Sequence, residues 1–165
     1  MDNVYLLIGG NLGNRMENLD NAIRLIDSRA GKISGKSAVY ETAAWGITDQ
    51  KSFLNQAVRI ITPHPPAALL DIILEIERAL GRIRLEKNGP RLIDIDILFY
   101  GSEIISEPRL KIPHPLLQER KFALEPMNNV CPDFIHPVLK KTVKQLLLEC
   151  KDPLKAELYT TTIGE

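Results

Sequence analysis

Lys87-Asn88-Gly89-Pro90-Arg91-Leu92-Ile93-Asp94-Ile95-Asp96-Ile97-Leu98-Phe99-Tyr100 runs from a basic turn into a strand. Ile93, Ile95, Ile97 and Phe99 alternate with Asp94, Asp96, Leu98 and Tyr100, the period of a strand with one buried face. Side chains two apart share a face, so Asp94 and Asp96 point the same way. Their Cα atoms are expected about 6.5 Å apart, two strand rises. Carboxylates that close resist burial unless something neutralises them, and Mg²⁺ is commonly held by one or two carboxylates plus substrate phosphates. The turn before them carries Arg82, Arg84, Lys87 and Arg91 against Glu86. Carboxylates for a metal beside arginines for phosphate point to phosphoryl or pyrophosphoryl transfer. The competing reading is a pair of solvated aspartates on an exposed sheet face. The isoleucines argue instead for a central strand.

Upstream, residues 4–8 form a short apolar strand, which Gly9-Gly10-Asn11-Leu12-Gly13 is expected to break. That turn lacks both the Gly-Lys-Ser/Thr and the dinucleotide-binding spacing, so it reads as a tight strand-to-helix connection. Asn14 and Glu17 open a helix with Met16, Leu19, Ile23, Ile26 and Ala30 as its apolar stripe and Gly31 at its end. Residues 32–42 read as a second strand. The connection from Thr42 to Gln50 carries the only tryptophan, Trp45, which either folds over a ligand or covers the core edge. Residues 53–61 form a third strand, with Asn55, Ala57 and Arg59 on one face and Gln56 misplaced among apolar residues on the other. Pro66 opens a second helix with Leu69, Ile72, Ile73, Ile76 and Leu80 inward, closed by Gly81. The order β-α-β-β-α-β predicts an α+β, ferredoxin-like sandwich: an antiparallel sheet with two helices on one face. Beyond it, residues 103–105 are expected to add a short strand, and residues 116–127 and 143–148 to form helices appended to one single domain spanning 1–165.

The 165 residues are 44% hydrophobic and 25% charged, which excludes disorder as the default. Net charge is zero, so no general basic field for nucleic acid exists and any anion site is local. No apolar run approaches the length of a membrane span, and no secretory leader is recognisable. Cys131 and Cys150 have neither zinc spacing nor a CxxC pairing and are expected as reduced thiols in a cytoplasmic protein. His64, His114 and His136 each precede proline and lack metal-ligand spacing. Only His114, on a loop with basic neighbours, invites a functional reading. No large apolar seam argues for oligomers, so a monomer is expected.

Residues 87–98 match the signature of the 6-hydroxymethyl-7,8-dihydropterin pyrophosphokinase family. Ile8-Gly9-Gly10-Asn11-Leu12-Gly13, Tyr40-Glu41-Thr42, Phe53-Leu54-Asn55 and Ile112-Pro113-His114-Pro115 resemble further family segments in the same order. The likeness runs from residue 4 to the mid-130s and implies the same ferredoxin-like fold. It implies transfer of the β,γ-diphosphoryl unit of ATP to the pterin hydroxymethyl oxygen, releasing AMP, in folate biosynthesis. By that similarity Asp94 and Asp96 hold two Mg²⁺ ions, and Arg82 and Arg91 are the catalytic arginines. Glu77, Arg84, Arg109, Lys111, His114 and Arg120 fall where the family contacts ATP. Thr42, Ala43, Trp45, Phe53, Asn55 and Phe122 form the pterin slot. The chain departs from the family at Asn88, where many members carry an aromatic, at Trp45, commonly leucine, and at Pro115, tyrosine in some. Two rivals use the same features differently. One is a Mg²⁺-dependent phosphohydrolase; the other is a non-enzymatic ferredoxin-like ligand-binding module, which leaves the carboxylate pair unexplained.

Overall fold

The computed structural model describes residues 2–43, 51–81 and 92–160. Strand β1 (Asp2–Gly10) leads to helix α1 (Arg15–Arg29), then β2 (Lys32–Lys36), β3 (Tyr40–Thr42) and β4 (Phe53–Thr62). Helix α2 (Pro66–Ala79) and β5 (Asp94–Tyr100) complete the core unit. A hairpin, β6 (Ile105–Glu107) and β7 (Leu110–Ile112), follows, then a 3₁₀ turn (Leu117–Glu119) and α3 (Lys121–Val130). Helix α4 (Val143–Glu149) and β8 (Glu157–Leu158) end the described chain.

Among the described residues six strands make one sheet, ordered β5-β1-β4-β3-β8, with β2 pairing the same edge of β4 as β3. The pairings of β1, β2, β3 and β5 in it are antiparallel, which gives the expected ferredoxin-like core. Asn14 caps α1 by accepting the Glu17 amide, and Gly81, at φ +79°, takes the left-handed conformation that follows the end of α2. Leu19, Ala22 and Ile26 of α1 and Leu69, Ile73 and Ile76 of α2 pack on Val4, Leu6, Ile8, Val58, Ile60, Ile95 and Ile97. The opposite sheet face is covered too. Tyr5, Leu7, Ala57, Leu98 and Phe99 meet Ala123, Leu124 and Met127 of α3 and Val143 and Leu146 of α4. His136 belongs to this second layer: it is buried, its Nδ1 accepts the Val138 and Leu139 amides, and its ring meets Phe99 edge-on. Cys131 and Cys150 are free thiols, and burial pushes Cys131 up to about 11.

The structure corrects several expectations. Gly9 and Gly10 do not break β1; both pair with β4. The strand expected over 32–42 is two strands, because the chain turns out of the ladder at Ser37. Gln56 explains the break: its Nε2 donates to the Ser37 carbonyl, while Ser37 Oγ accepts the Ala57 amide. The polar side chain among apolar neighbours is therefore satisfied by the irregular backbone it holds. The helix expected over 116–127 starts at Lys121, with Arg120 extended in front of it, and Asp152 accepts the Lys121 amide at that helix start. The short strand expected at 103–105 is β6, two residues later and paired with β7.

Strand β5 lies at the sheet edge, not its centre. Its outer side is closed by other means: the Ile95 amide donates to Glu77 Oε2 at 2.8 Å, and the Leu98 carbonyl accepts the His114 amide at 3.0 Å. A covered edge and an apolar helical layer together give an edge strand the composition of an interior one. The register against β1 shifts between Tyr5 and Leu6, which pair with Phe99 and Ile97. Leu98 is the extra residue of this irregularity, so Phe99 joins the face of Leu98 and the aspartates, and Tyr100 joins that of the isoleucines.

Candidate active site

Alternation and register build the site from one face of the sheet. The apolar second face runs through Ala57, Leu7 and Leu98. One step further its side chains become polar. Asn55 pairs with Gly9, and Gly9 with Asp94; one row back, Ala57 pairs with Leu7, and Leu7 with Asp96. Thr42 pairs with Phe53 beside them. All of these paired residues except Ala57, with Ala43 and with Arg120 and Phe122 from the start of α3, line one cleft. The aspartates thus face the same way, as their spacing requires, and are half-buried on its wall.

Sequence reasoning missed Gly9 and Leu7 as parts of this cleft. A Cβ on Gly9 would lie 2.0 Å from Asn55 Oδ1 and 2.8 Å from the Leu54 carbonyl. Glycine there lets the Asn55 amide lie over β1 and leaves the floor between Asn55 and Asp94 as bare backbone. The signal was present as a glycine pair at the end of an apolar strand, but only the register reveals what stands opposite. Gly9→Ala is expected to cost about 1–3 kcal/mol of stability through overpacking and to weaken binding of a ligand in the cleft about tenfold by displacing Asn55. Urea unfolding and ligand titration check this; an unchanged midpoint with unchanged affinity would contradict it.

Thr42 Oγ1 is buried beside the cleft and, among the described residues, has no hydrogen-bond partner. An unpaired buried hydroxyl costs about 1–3 kcal/mol, a deficit that a polar ligand edge can remove. Phe53 and Phe122 supply aromatic surface, and the Arg120 guanidinium lies 5.4 Å over the Phe122 ring.

His114 is half-buried on the loop after β7, following a cis Ile112–Pro113 bond. Burial first, and the Arg120 charge second, pull its pKa down to about 4 against the opposing pull of Asp94. The ring is therefore neutral at pH 7. Its Nδ1 accepts the Leu116 amide at 3.2 Å, which places the remaining proton on Nε2 as a donor.

The other expected residues lie elsewhere. Glu77 is buried in α2 and takes the Ile95 amide, the residue between the two aspartates. Arg109 and Lys111 are exposed on the β6–β7 hairpin; Arg109 pairs with Asp71 of α2, and Lys111 Nζ is 3.4 Å from the Glu107 carbonyl. None of these three lines the cleft. Trp45, Arg82, Arg84, Asn88 and Arg91 fall outside the described residues.

The donor set fits magnesium. Among the described residues no group of three or more His, Cys, Asp or Glu could enclose a metal. Two carboxylates facing one cleft leave coordination positions for phosphate oxygens and water, the usual habit of Mg²⁺. Among the described residues no helix is long and apolar enough to cross a membrane.

Residues 5–132 match the family model described as 7,8-dihydro-6-hydroxymethylpterin-pyrophosphokinase. The chain is 40% identical over 148 residues to the 2-amino-4-hydroxy-6-hydroxymethyldihydropteridine pyrophosphokinase of Methylorubrum extorquens, covering 89% of this chain and 92% of that protein. It is 40% identical over 145 residues to the folic acid synthesis protein FOL1 of Dictyostelium discoideum, covering 88% of this chain but only 22% of that longer protein. Among solved structures, the Plasmodium falciparum HPPK-DHPS crystal structure with SDX-DHP superposes with a TM-score of 0.74 at 20% identity, over 90% of this chain and 43% of that one. This last likeness concerns the fold.

Proposed function

Because the chain belongs to the 7,8-dihydro-6-hydroxymethylpterin-pyrophosphokinase family, we propose that its diphosphoryl transfer takes place in the cleft between Asn55 and the aspartates of β5. One observation carries this placement: the row Asn55–Gly9–Asp94 spans three adjacent strands over a glycine floor. Two interstrand spacings separate the amide from the carboxylate by about 9.5 Å. A flat bicyclic ring fits that trough. Its amide edge meets Asn55 and Thr42, its faces meet Phe53 and Phe122, and its hydroxymethyl group reaches toward Asp94 and Asp96.

In the reaction the hydroxymethyl oxygen attacks the β-phosphorus of ATP. The bond from that phosphorus to the α–β bridging oxygen breaks, AMP leaves, and the hydroxyl proton passes to solvent. When bound, Mg²⁺, two ions by the family resemblance, would supply positive charge that offsets the triphosphate. Asp94 and Asp96 would hold it on one side of the cleft, orienting the β-phosphorus. Arg120 adds a fixed cation, and His114 offers its Nε2 proton to a phosphate oxygen. Arg82 and Arg91 stabilise charge on the departing AMP. Glu77 positions β5. By the family resemblance Arg84, Arg109 and Lys111 contact the nucleotide. The residues act by orientation and electrostatics, with no general base assigned.

Phosphorus NMR of the protein incubated with ATP, Mg²⁺ and 6-hydroxymethyl-7,8-dihydropterin tests the reading. AMP and a pterin diphosphate are expected. ADP or inorganic phosphate without pterin diphosphate would favour the phosphohydrolase, and unchanged ATP would favour the ligand-binding module.

A further inference from the structure

The turn after β1 and the first residue of α1 reach into the wall of the same cleft without lining it. Arg15 Nη1 donates to Glu41 Oε2 at 2.7 Å, to the Ser52 carbonyl at 3.0 Å and to Ser52 Oγ at 3.2 Å. Ser52 Oγ donates to the same Glu41 oxygen at 2.8 Å. Asn11, buried in the glycine-rich turn, donates from Nδ2 to the Lys51 carbonyl at 2.9 Å. Two consecutive carbonyls at the entry to β4 are thereby held by residues four apart. Glu41 is followed by Thr42, and Ser52 by Phe53. Thr42 and Phe53 are paired across β3 and β4, and both line the cleft. Each strand end is thus gripped one residue away from a side chain that lines the cleft.

The C-terminal segment completes the arrangement. Strand β8 pairs with β3, the Tyr159 amide donates to the Val39 carbonyl, and the Arg15 guanidinium lies 5.4 Å over the Tyr159 ring. Burial raises the Glu41 carboxyl, but the hydrogen bonds from Arg15 and Ser52 and the Arg15 charge more than offset it, leaving the group below its ordinary value. Glu41 is therefore ionised at neutral pH and able to hold Arg15. The two side chains are 21% and 37% exposed, so the ion pair adds little to global stability. What it fixes is the position of two strand ends.

We infer that Arg15 is a positioning residue for the pterin side of the cleft, acting through Glu41 and Ser52, with Asn11 holding the adjoining carbonyl and Tyr159 seating the guanidinium. This rests on the placement of the pterin against Thr42, Phe53 and Asn55. It also gives the glycine-rich turn a role that phosphate binding does not: the turn aims Asn11 and Arg15 at β4. Lysine replaces Arg15 only in part: an ammonium can donate to Glu41 and Ser52 as the single Nη1 does, but it lacks the planar guanidinium that lies over the Tyr159 ring.

The test compares the wild type with Arg15→Ala, Arg15→Lys, Glu41→Gln and Asn55→Ala. Affinity for 6-hydroxymethyl-7,8-dihydropterin is measured with a non-hydrolysable ATP analogue and Mg²⁺ present. Affinity for the analogue alone and thermal unfolding are measured in parallel. Arg15→Ala is expected to weaken pterin binding about tenfold while leaving analogue affinity within about twofold. Its Tm should stay within a few degrees, with Arg15→Lys and Glu41→Gln intermediate in pterin affinity. Retained pterin affinity in Arg15→Ala, or equal losses for both ligands, overturns the inference. If Arg15→Ala does not fold, the same criteria apply to Arg15→Lys and Glu41→Gln. Asn55→Ala separates the two levels. If it binds pterin normally, the pocket assignment fails and the inference with it. If it weakens binding while Arg15 variants do not, only the positioning role fails.

Discussion

Asp96→Ala is expected to lower kcat at least about 1,000-fold, because it removes one of two carboxylates available to hold the metal at the transferring phosphate. The fold should survive. Asp96 faces the cleft opposite Leu7 and belongs to neither apolar cluster, so its truncation opens no core cavity. It also relieves repulsion from Asp94, about 6.5 Å away along the strand. Stability should therefore change far less than turnover, by about 1–2 kcal/mol at most. Steady-state assays at saturating ATP and pterin, together with urea unfolding, measure the two effects separately. Turnover near the wild-type rate would remove Asp96 from the metal site, and a large loss of stability would give it a structural role instead.

Glu77→Ala is expected to cost both stability and turnover. The Glu77 carboxylate is buried and accepts the Ile95 amide at 2.8 Å, on the side of β5 away from β1. Removing it leaves a buried donor at an unpaired sheet edge, a cost of about 1–3 kcal/mol. Ile95 lies between Asp94 and Asp96, so a shift of its backbone moves both carboxylates. Misplacement of that kind lowers kcat by about tenfold or more. Glu77→Gln keeps an oxygen of nearly the same shape for the Ile95 amide and should recover most of the stability. Urea midpoints and kcat for the two variants decide the matter. An alanine variant as stable and as active as the wild type would show that the edge needs no partner there.

The parts of this molecule that obey local rules could be read before any coordinates. The cap at Asn14, the stop at Gly81, the apolar stripes of α1 and α2 and the shared direction of Asp94 and Asp96 depend on neighbours within a few residues. Features set by distant partners could not. The break at Ser37 depends on Gln56 and Ala57 across the sheet. The edge position of β5 was hidden because Glu77 and His114 close that edge and permit an interior-like composition. The switch of Phe99 to the aspartate face follows from one register shift against Tyr5 and Leu6. Residues from Asp152 onward carried no pattern, yet they supply the oxygen that meets the start of α3 and a strand beside β3. Within the site, the shared direction of the aspartates was visible from spacing, and the family likeness named Thr42, Ala43, Phe53, Asn55 and Phe122, which line the cleft. Gly9 was not, since its importance lies in the side chain it lacks opposite Asn55.

A crystal structure of the protein with Mg²⁺, a non-hydrolysable ATP analogue and 6-hydroxymethylpterin measures the arrangement itself. The account predicts carboxylate oxygens of both Asp94 and Asp96 at about 2.0–2.1 Å from magnesium, with the pterin ring over Gly9 and its amide edge against Asn55. A ring bound outside the Asn55–Gly9–Asp94 trough, or magnesium held without either aspartate, would contradict it.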